Sequence, residues 1–275
     1  MVQNETFSLM GADEHTILGD ITYDDKNTNA PLIIFVHGFK GFKDWGAHHL
    51  TARYFAQNGY RYLKFNLSHS GVPVNSPTDV SDLQLFASNT FSKELADIDR
   101  VIDYALTKLG VSEVFLVGHS RGGGLAVLQA ASQPQVKGLI TWSSIADFSS
   151  LWKEEQEDEW KKNGKIYVLN ARTKEKMPLN LSLLEDFQQN RPQLDIVQAA
   201  AKINAPWLII HGDTDVNVPF ETAQLLANAN LNSKLVKIEN TDHVYGASHP
   251  YLKETLPLPL FEVCEKSLAF LSGII

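Results

Sequence analysis

The stretch V-F-L-V-G-H-S-R-G-G-G-L-A-V-L at 114–128 sets one hydroxyl, Ser120, between Gly118 and Gly122, where an apolar run changes character. Residues 114–117 are β-branched and aromatic enough for a buried strand, while Leu125, Ala126 and Leu128 suit a helix. Ser120 is therefore expected on a strand-to-helix corner so tight that the residues two before and two after it must be tiny. Such a corner lifts the side chain above the carboxyl ends of the strands. It also sets the next backbone N–H, that of Arg121, at a helix N-terminus, where the dipole favours developing negative charge. The chemistry this suits is nucleophilic attack with half of an oxyanion hole attached.

Serine is a poor nucleophile at neutral pH and requires a histidine base held by a carboxylate. Both stand downstream, in the order Ser, Asp, His. The run W-L-I-I-H-G ends in D-T-D-V-N-V-P at 213–219, and K-L-V-K-I-E-N ends in T-D-H at 241–243. Asp215 lies out in its loop, where it can reach an imidazole; Asp213, its alternative, directly follows Gly212 and suits bracing of the turn. Among nine histidines His243 alone stands just past a late strand, with His249 in the same loop as its rival. Asp242 reads as a turn residue and His119 as packed inward. The second oxyanion donor is expected at an earlier strand end, where 32–36 runs into H-G-F-K-G. There Gly38 lets the backbone bend and present the Phe39 N–H toward Ser120.

The elements that must hold these groups are short apolar runs at 32–36, 60–65, 114–117, 136–142, 207–210 and 234–238, separated by stretches of helical character. Strands interleaved with helices imply a parallel sheet covered on both faces. An antiparallel hairpin is expected to precede them, 5–10 with 16–23 across Gly11-Ala12-Asp13. Leu95, Ile98, Ile102, Ala105, Leu106 and Leu109 form the stripe of a core-facing helix. The long connection 67–90 is expected to hold a short helix at 81–87. Residues 145–203 separate two strands by more than one crossover needs and read as an inserted cap. The cap's helix has acids early and lysines late, and a hairpin follows around Ala171-Arg172-Thr173-Lys174.

At 275 residues the chain suits one large α/β domain or two small ones. With 24 Lys and Arg against 32 Asp and Glu, its formal charge of −8 disfavours a nucleic-acid footprint, and no nucleic-acid partner is expected. The single cysteine, Cys264, has no internal disulfide partner, and no apolar run approaches the ~18 residues of a spanning helix. The N-terminal stretch lacks a basic region followed by an apolar one, so a cytoplasmic protein without a membrane partner is expected, compatible with a homodimer. The His48-His49 pair lacks the companions of a metal site, and His69 in L-S-H-S-G stands just past a strand, within reach of a pocket.

Taken together, G-H-S-R-G-G, H-G-F-K-G, H-G-D-T-D-V-N-V-P and T-D-H-V-Y-G make the sequence resemble the α/β-hydrolase family over nearly its whole length. They look like that family's nucleophile elbow, oxyanion turn, acid loop and histidine loop. The H-G-F turn and the cap with its hairpin are similar to the cinnamoyl/feruloyl esterase-like carboxylesterase branch. The resemblance implies an α/β-hydrolase fold: a mostly parallel eight-stranded sheet with helices on both faces, a core of 1–144 and 204–275, and a cap of 145–203. It implies acyl transfer to water without metal or organic cofactor, with a small-molecule ester as the partner. In that reading Ser120, His243 and Asp215 are the triad, and the Phe39 and Arg121 N–H groups bind the oxyanion. Phe39, Trp45, Phe86, Trp142, Phe148 and Trp152 are candidates to line an apolar cleft suited to aromatic or medium-length acyl groups. The Arg121 side chain is expected to anchor the cap by a salt bridge rather than to touch an acidic substrate group. The alternatives are an amidase or peptidase of the same fold, or a noncatalytic binding protein built on it.

Overall fold

Leu32–Val36 has no residue facing solvent, as a strand covered on both faces requires. The computed structural model describes residues 1–274. In chain order the elements are β1 (Val2–Met10), β2 (Thr16–Asp24), β3 (Leu32–Val36), α1 (His48–Gln57), β4 (Arg61–Asn66), α2 (Leu83–Ala87) and α3 (Phe91–Thr107). Then come β5 (Val114–His119), α4 (Arg121–Ser132), β6 (Val136–Trp142), α5 (Glu157–Asn163), β7 (Lys165–Leu169), β8 (Lys176–Asn180) and α6 (Leu181–Gln189). The chain closes with α7 (Ile196–Ala200), β9 (Trp207–Gly212), α8 (Phe220–Ala229), β10 (Lys234–Ile238) and α9 (Leu258–Ser272).

Eight strands form one sheet in the spatial order β1-β2-β4-β3-β5-β6-β9-β10. Only β2 runs against its neighbours, pairing antiparallel with both β1 and β4; the other pairings are parallel. The two-residue period of a strand divides the core. Ile34, Val36 and Leu116 join one apolar cluster with α3, α4 and α8, whereas Ile33, Phe35, Phe115 and Val117 join a second with α1 and α9. The eight-stranded, mostly parallel sheet read from the sequence is thus the one observed.

Local signals set the remaining pieces. The stripe on α3 is buried at Ile98, Val101, Ile102 and Ala105, and Thr90 caps its start by accepting the Lys93 N–H. The short helix expected at 81–87 begins later, at Leu83, because Asp82 is its N-cap and accepts the Leu85 N–H at 3.0 Å. Between β6 and β9 the chain forms α5, the antiparallel β7–β8 hairpin, α6 and α7. Trp160 of α5 is fully buried and packs edge-on to Trp152, which in turn packs on Phe187 of α6. This aromatic cluster fixes the hairpin beside the carboxyl ends of the strands.

Candidate active site

Four loops leaving the carboxyl ends of β3, β5, β9 and β10 converge, where open α/β sheets place their ligands. At the end of β5 Ser120 has φ 57° and ψ −121°, a left-handed backbone that serine adopts only under constraint. The constraint is steric. A Cβ on Gly118 would lie 2.3 Å from the Gly122 carbonyl oxygen, and one on Gly122 would lie 2.2 Å from the Val36 oxygen and 2.5 Å from the His37 oxygen. All three are backbone atoms, so no rotamer relieves the clash. Gly122→Ala is expected to destabilise the fold by about 2–4 kcal/mol, read from the urea midpoint. Gly59→Ala, at φ +86° with open space around it, tests backbone strain alone and is expected to cost only about 1–2 kcal/mol. Equal losses in the two variants would refute the packing account.

The Ser120 N–H donates to the Trp142 oxygen at 2.9 Å, and its own carbonyl accepts from Gly123 and Ile145, so the corner is tied to β6 on one side and α4 on the other. Ser120 is 8% exposed and lines a cavity of about 500 Å³ together with His243, Phe39 and His119. His243 Nδ1–H donates to Asp215 Oδ2 at 2.7 Å, and the Asp215 side chain is fully buried behind it. Among the described residues no hydrogen bond joins Ser120 to His243, a looseness common for such pairs without substrate.

Asp215 is held from several sides. Its Oδ1 accepts the Asn217 and Val218 N–H groups, both at 2.9 Å, and His211 Nε2 stands 3.4 Å from Oδ2. Burial works to raise its pKa, but the hydrogen bonds from His211 and His243, the His243 charge and the Val218 N–H outweigh it and hold the carboxyl well below the usual range. Asp213, the alternative acid, is more exposed and accepts the Thr241 N–H at 3.4 Å, bracing the turn. Asp242 accepts the Val244 and Gly246 N–H groups as a turn residue does. The rival His249 is turned elsewhere: it accepts the Gly46 N–H at 3.0 Å and stacks on Trp45.

On the opposite wall Gly38 brings the oxyanion turn against the elbow, a Cβ there lying 3.0 Å from that of Ser120. The turn closes through Gly41 N–H to the Gly38 oxygen at 3.1 Å, with Lys40 at φ 59°. Among the described residues neither the Phe39 nor the Arg121 N–H has a protein acceptor, and Arg121 is the first residue of α4. Two free donors therefore stand beside a strained serine at a helix N-terminus.

Several sequence expectations are corrected by the packing. Arg121 does form a salt bridge, but to Glu94 of α3 at 2.8 Å and not to the 145–203 segment. Both side chains are buried, and burial pushes the Glu94 carboxyl up against the opposing pull of Arg121 and Asn89. His119 does not pack inward: it lines the cavity, and its Nε2–H donates to the His243 carbonyl at 2.9 Å. Burial first, and the neighbouring His243 second, push its pKa down to about 3, which keeps the ring neutral. His69 stays off the cavity wall, bonded to Ser68 Oγ at 2.8 Å and facing Asp13 and Lys93. Of the six aromatic candidates Phe39 and Trp45 line the cavity. Phe86 stacks on Phe39, Trp142 donates to Ser267 deep in the core, and Phe148 and Trp152 pack on Phe91. His48 reaches the cavity wall whereas His49 is exposed, and among the described residues no group of three or more His, Cys, Asp or Glu could hold a metal.

Sequence reasoning passed over His211 and Tyr245. His211 is the ionisable side chain in the otherwise apolar, fully buried strand β9, and it donates to the Val218 oxygen at 2.8 Å while facing Asp215. Tyr245 bonds Ser143 Oγ at 2.9 Å and the Ile210 oxygen at 3.2 Å, which pins the His243 loop to β6 and β9.

Comparison with known proteins bears on the family and the fold. The chain is 27% identical to a bifunctional esterase/perhydrolase of Acinetobacter calcoaceticus, over 78% of this chain and 87% of that protein. It is 24% identical to a 2-hydroxy-6-oxononadienedioate/2-hydroxy-6-oxononatrienedioate hydrolase of Burkholderia vietnamiensis, over 82% and 83%. Among solved structures, Est1E of Butyrivibrio proteoclasticus superposes with a TM-score of 0.70 at 20% identity, covering 98% of each chain. The same protein with ferulic acid bound gives 0.71 at 21%, covering 97% of this chain and 98% of that one. The sequence model of the alpha/beta hydrolase fold matches residues 31–173, more than half of the chain, and this protein belongs to that family.

Proposed function

We propose that this protein is a serine hydrolase of carboxylic esters, with Ser120, His243 and Asp215 as its triad. The observation that carries the reading is the pair of His243 with the buried Asp215, 2.7 Å apart, whose imidazole opens onto the same cavity as the strained Ser120. In this mechanism Ser120 Oγ attacks the ester carbonyl while His243 Nε2 takes its proton. Asp215 holds Nδ1–H and so keeps the lone pair on Nε2. The Phe39 and Arg121 N–H groups bind the oxyanion as it forms, assisted by the α4 dipole. His243 then returns the proton to the leaving alcohol, and water repeats the sequence on the acyl-enzyme.

Residues 145–203 act in this proposal as a cap on a core of 1–144 and 204–275, since Ile145, Leu151, Val168 and Leu169 form much of the apolar wall. With Phe39 and Trp45 opposite, that wall suits an aromatic or medium-length acyl group. The ferulic acid bound to Est1E and the esterase named in Acinetobacter agree with an ester substrate. A fluorophosphonate probe followed by peptide mass spectrometry tests the proposal. Labelling at Ser120 alone is expected, and a folded protein left unlabelled, or labelled at another serine, would refute it.

A further inference from the structure

Among the described residues the cavity is lined by two cationic side chains, Lys40 and Arg172, and by no aspartate or glutamate. Arg172 is neutralised by Asp79, at 2.5 Å. The nearby Arg121 is neutralised by Glu94. Lys40 has no such partner among the described residues. Its Nζ donates to the Leu169 backbone oxygen at 3.1 Å, the end of β7, and lies 5.2 Å from the Phe39 ring. Arg121 sits over the same ring at 5.1 Å, so a second positive charge is close by. Burial and the Arg121 charge both press the Lys40 pKa downward, the mark of a cation without compensation.

Two further facts set this lysine apart. The protein carries a formal charge of −8, so acids are plentiful, yet none lines this wall. Lys40 also holds φ 59° in the turn next to the oxyanion donor, a backbone that glycine adopts with less strain. A partly buried cation, a carbonyl that neutralises nothing and a cavity without acids leave one charge to be matched from outside.

We propose that Lys40 is a specificity-determining residue whose ammonium receives a carboxylate carried by the substrate in addition to its scissile ester. The inference rests on the ester-hydrolase reading and names its substrate class: anionic esters, with the carboxylate on the acyl chain or on the alcohol. The carboxylate displaces or shares the Leu169 contact and leaves the ester carbonyl to the neighbouring Phe39 N–H. The reaction itself is unchanged: the alcohol leaves with the proton from His243 as the acyl-enzyme forms, water then releases the acid from Ser120, and the second carboxylate is a spectator.

Paired substrates test the proposal. Monomethyl glutarate against methyl hexanoate places the charge on the acyl side, and para-butyryloxybenzoate against phenyl butyrate places it on the alcohol side. The ratio of kcat/KM, acidic over neutral, is expected to fall about 10- to 30-fold in Lys40→Gln for one of the two pairs, mainly through KM, and to be largely kept in Lys40→Arg. Lys40→Gly, which suits the backbone at φ 59°, is expected to lose the same preference and guards against a folding artefact. A ratio unchanged in both pairs overturns the proposal. Binding of the intact methyl esters and butyryl esters to Ser120→Ala protein, by calorimetry, supplies a readout independent of turnover. No binding preference for the acidic member, or one that persists after Lys40→Gln is added, overturns the proposal even if hydrolysis itself is not observed. Preference in binding without any turnover by the unmutated protein keeps it and refutes the ester-hydrolase reading instead.

Discussion

Ser120→Ala is expected to lower kcat/KM for an activated ester by about 10⁴-fold or more while leaving the thermal melt within about 1–2 °C of the unmutated protein. The loss is large because in the proposed mechanism the hydroxyl forms the acyl-enzyme, and the two N–H donors alone would assist only weak attack by water. The small effect on folding follows from the structure. Alanine keeps the Cβ and the backbone bonds to Trp142, Gly123 and Ile145, and takes up the same left-handed conformation as serine. Among the described residues the Ser120 hydroxyl bonds to no other side chain, so its removal orphans no buried partner. Parallel ester kinetics and calorimetric melts check both halves. An unaltered rate removes Ser120 from the mechanism; a collapsed melt means that the lost activity reports folding.

The parts of the site that the sequence made legible are those carried by local rules. A tight corner needs small neighbours, which exposed Gly118 and Gly122, and each functional side chain stands within a few residues of a strand end. The order of the runs along the chain also sufficed for the sheet, because alternating strand and helix leaves few topologies. What escaped are contacts made only when distant segments meet. Glu94 lies on α3 and Arg121 on α4, and neither position announces the pairing that fixes the guanidinium under Phe39. His119 takes its partner 124 residues away, at the His243 carbonyl.

A buried cage of charges near the oxyanion turn is the clearest case. Lys43 and Lys64 share Asp20 at 2.5 and 2.7 Å, and both also pair with Asp44. Asp20 and Lys64 face each other across β2 and β4, while Lys43 and Asp44 come from the loop that follows the H-G-F turn. Lys43 N–H further donates to the Asn66 side chain at 2.7 Å. Two cations and two anions cancel, so composition carries no trace of the cage. Its consequence is mechanical: the segment just past Phe39 is bolted to the sheet, which restrains the N–H proposed to bind the oxyanion.

Asp215→Asn carries the second large effect, an expected loss of about 10³- to 10⁴-fold in kcat. The asparagine carbonyl can still accept the Asn217 and Val218 N–H groups that Oδ1 accepts now, so the loop keeps its shape. That choice turns the amide NH₂ toward His243 Nδ1, where it donates instead of accepting. The imidazole is then forced to carry its proton on Nε2, facing Ser120 with a donor where the mechanism requires a lone pair. Asp213→Asn is the matched control, since an amide oxygen accepts the Thr241 N–H as the carboxylate does and, among the described residues, the only ion pair lost is the long surface contact to Lys237 at 4.0 Å; its kcat is expected to stay within about threefold. Stability should respond to acid in the corresponding way. Because the Asp215 carboxyl is held below its ordinary range in the fold, it contributes stability above the unfolded-state pKa of about 4, and that contribution is lost as pH falls through the depressed folded value. The asparagine variant should therefore show a shallower loss of denaturant midpoint between about pH 5 and pH 3. If Asp213→Asn abolishes activity and Asp215→Asn does not, the acid has been assigned to the wrong residue. If neither changes kcat, His243 works without a carboxylate partner and the triad itself is wrong.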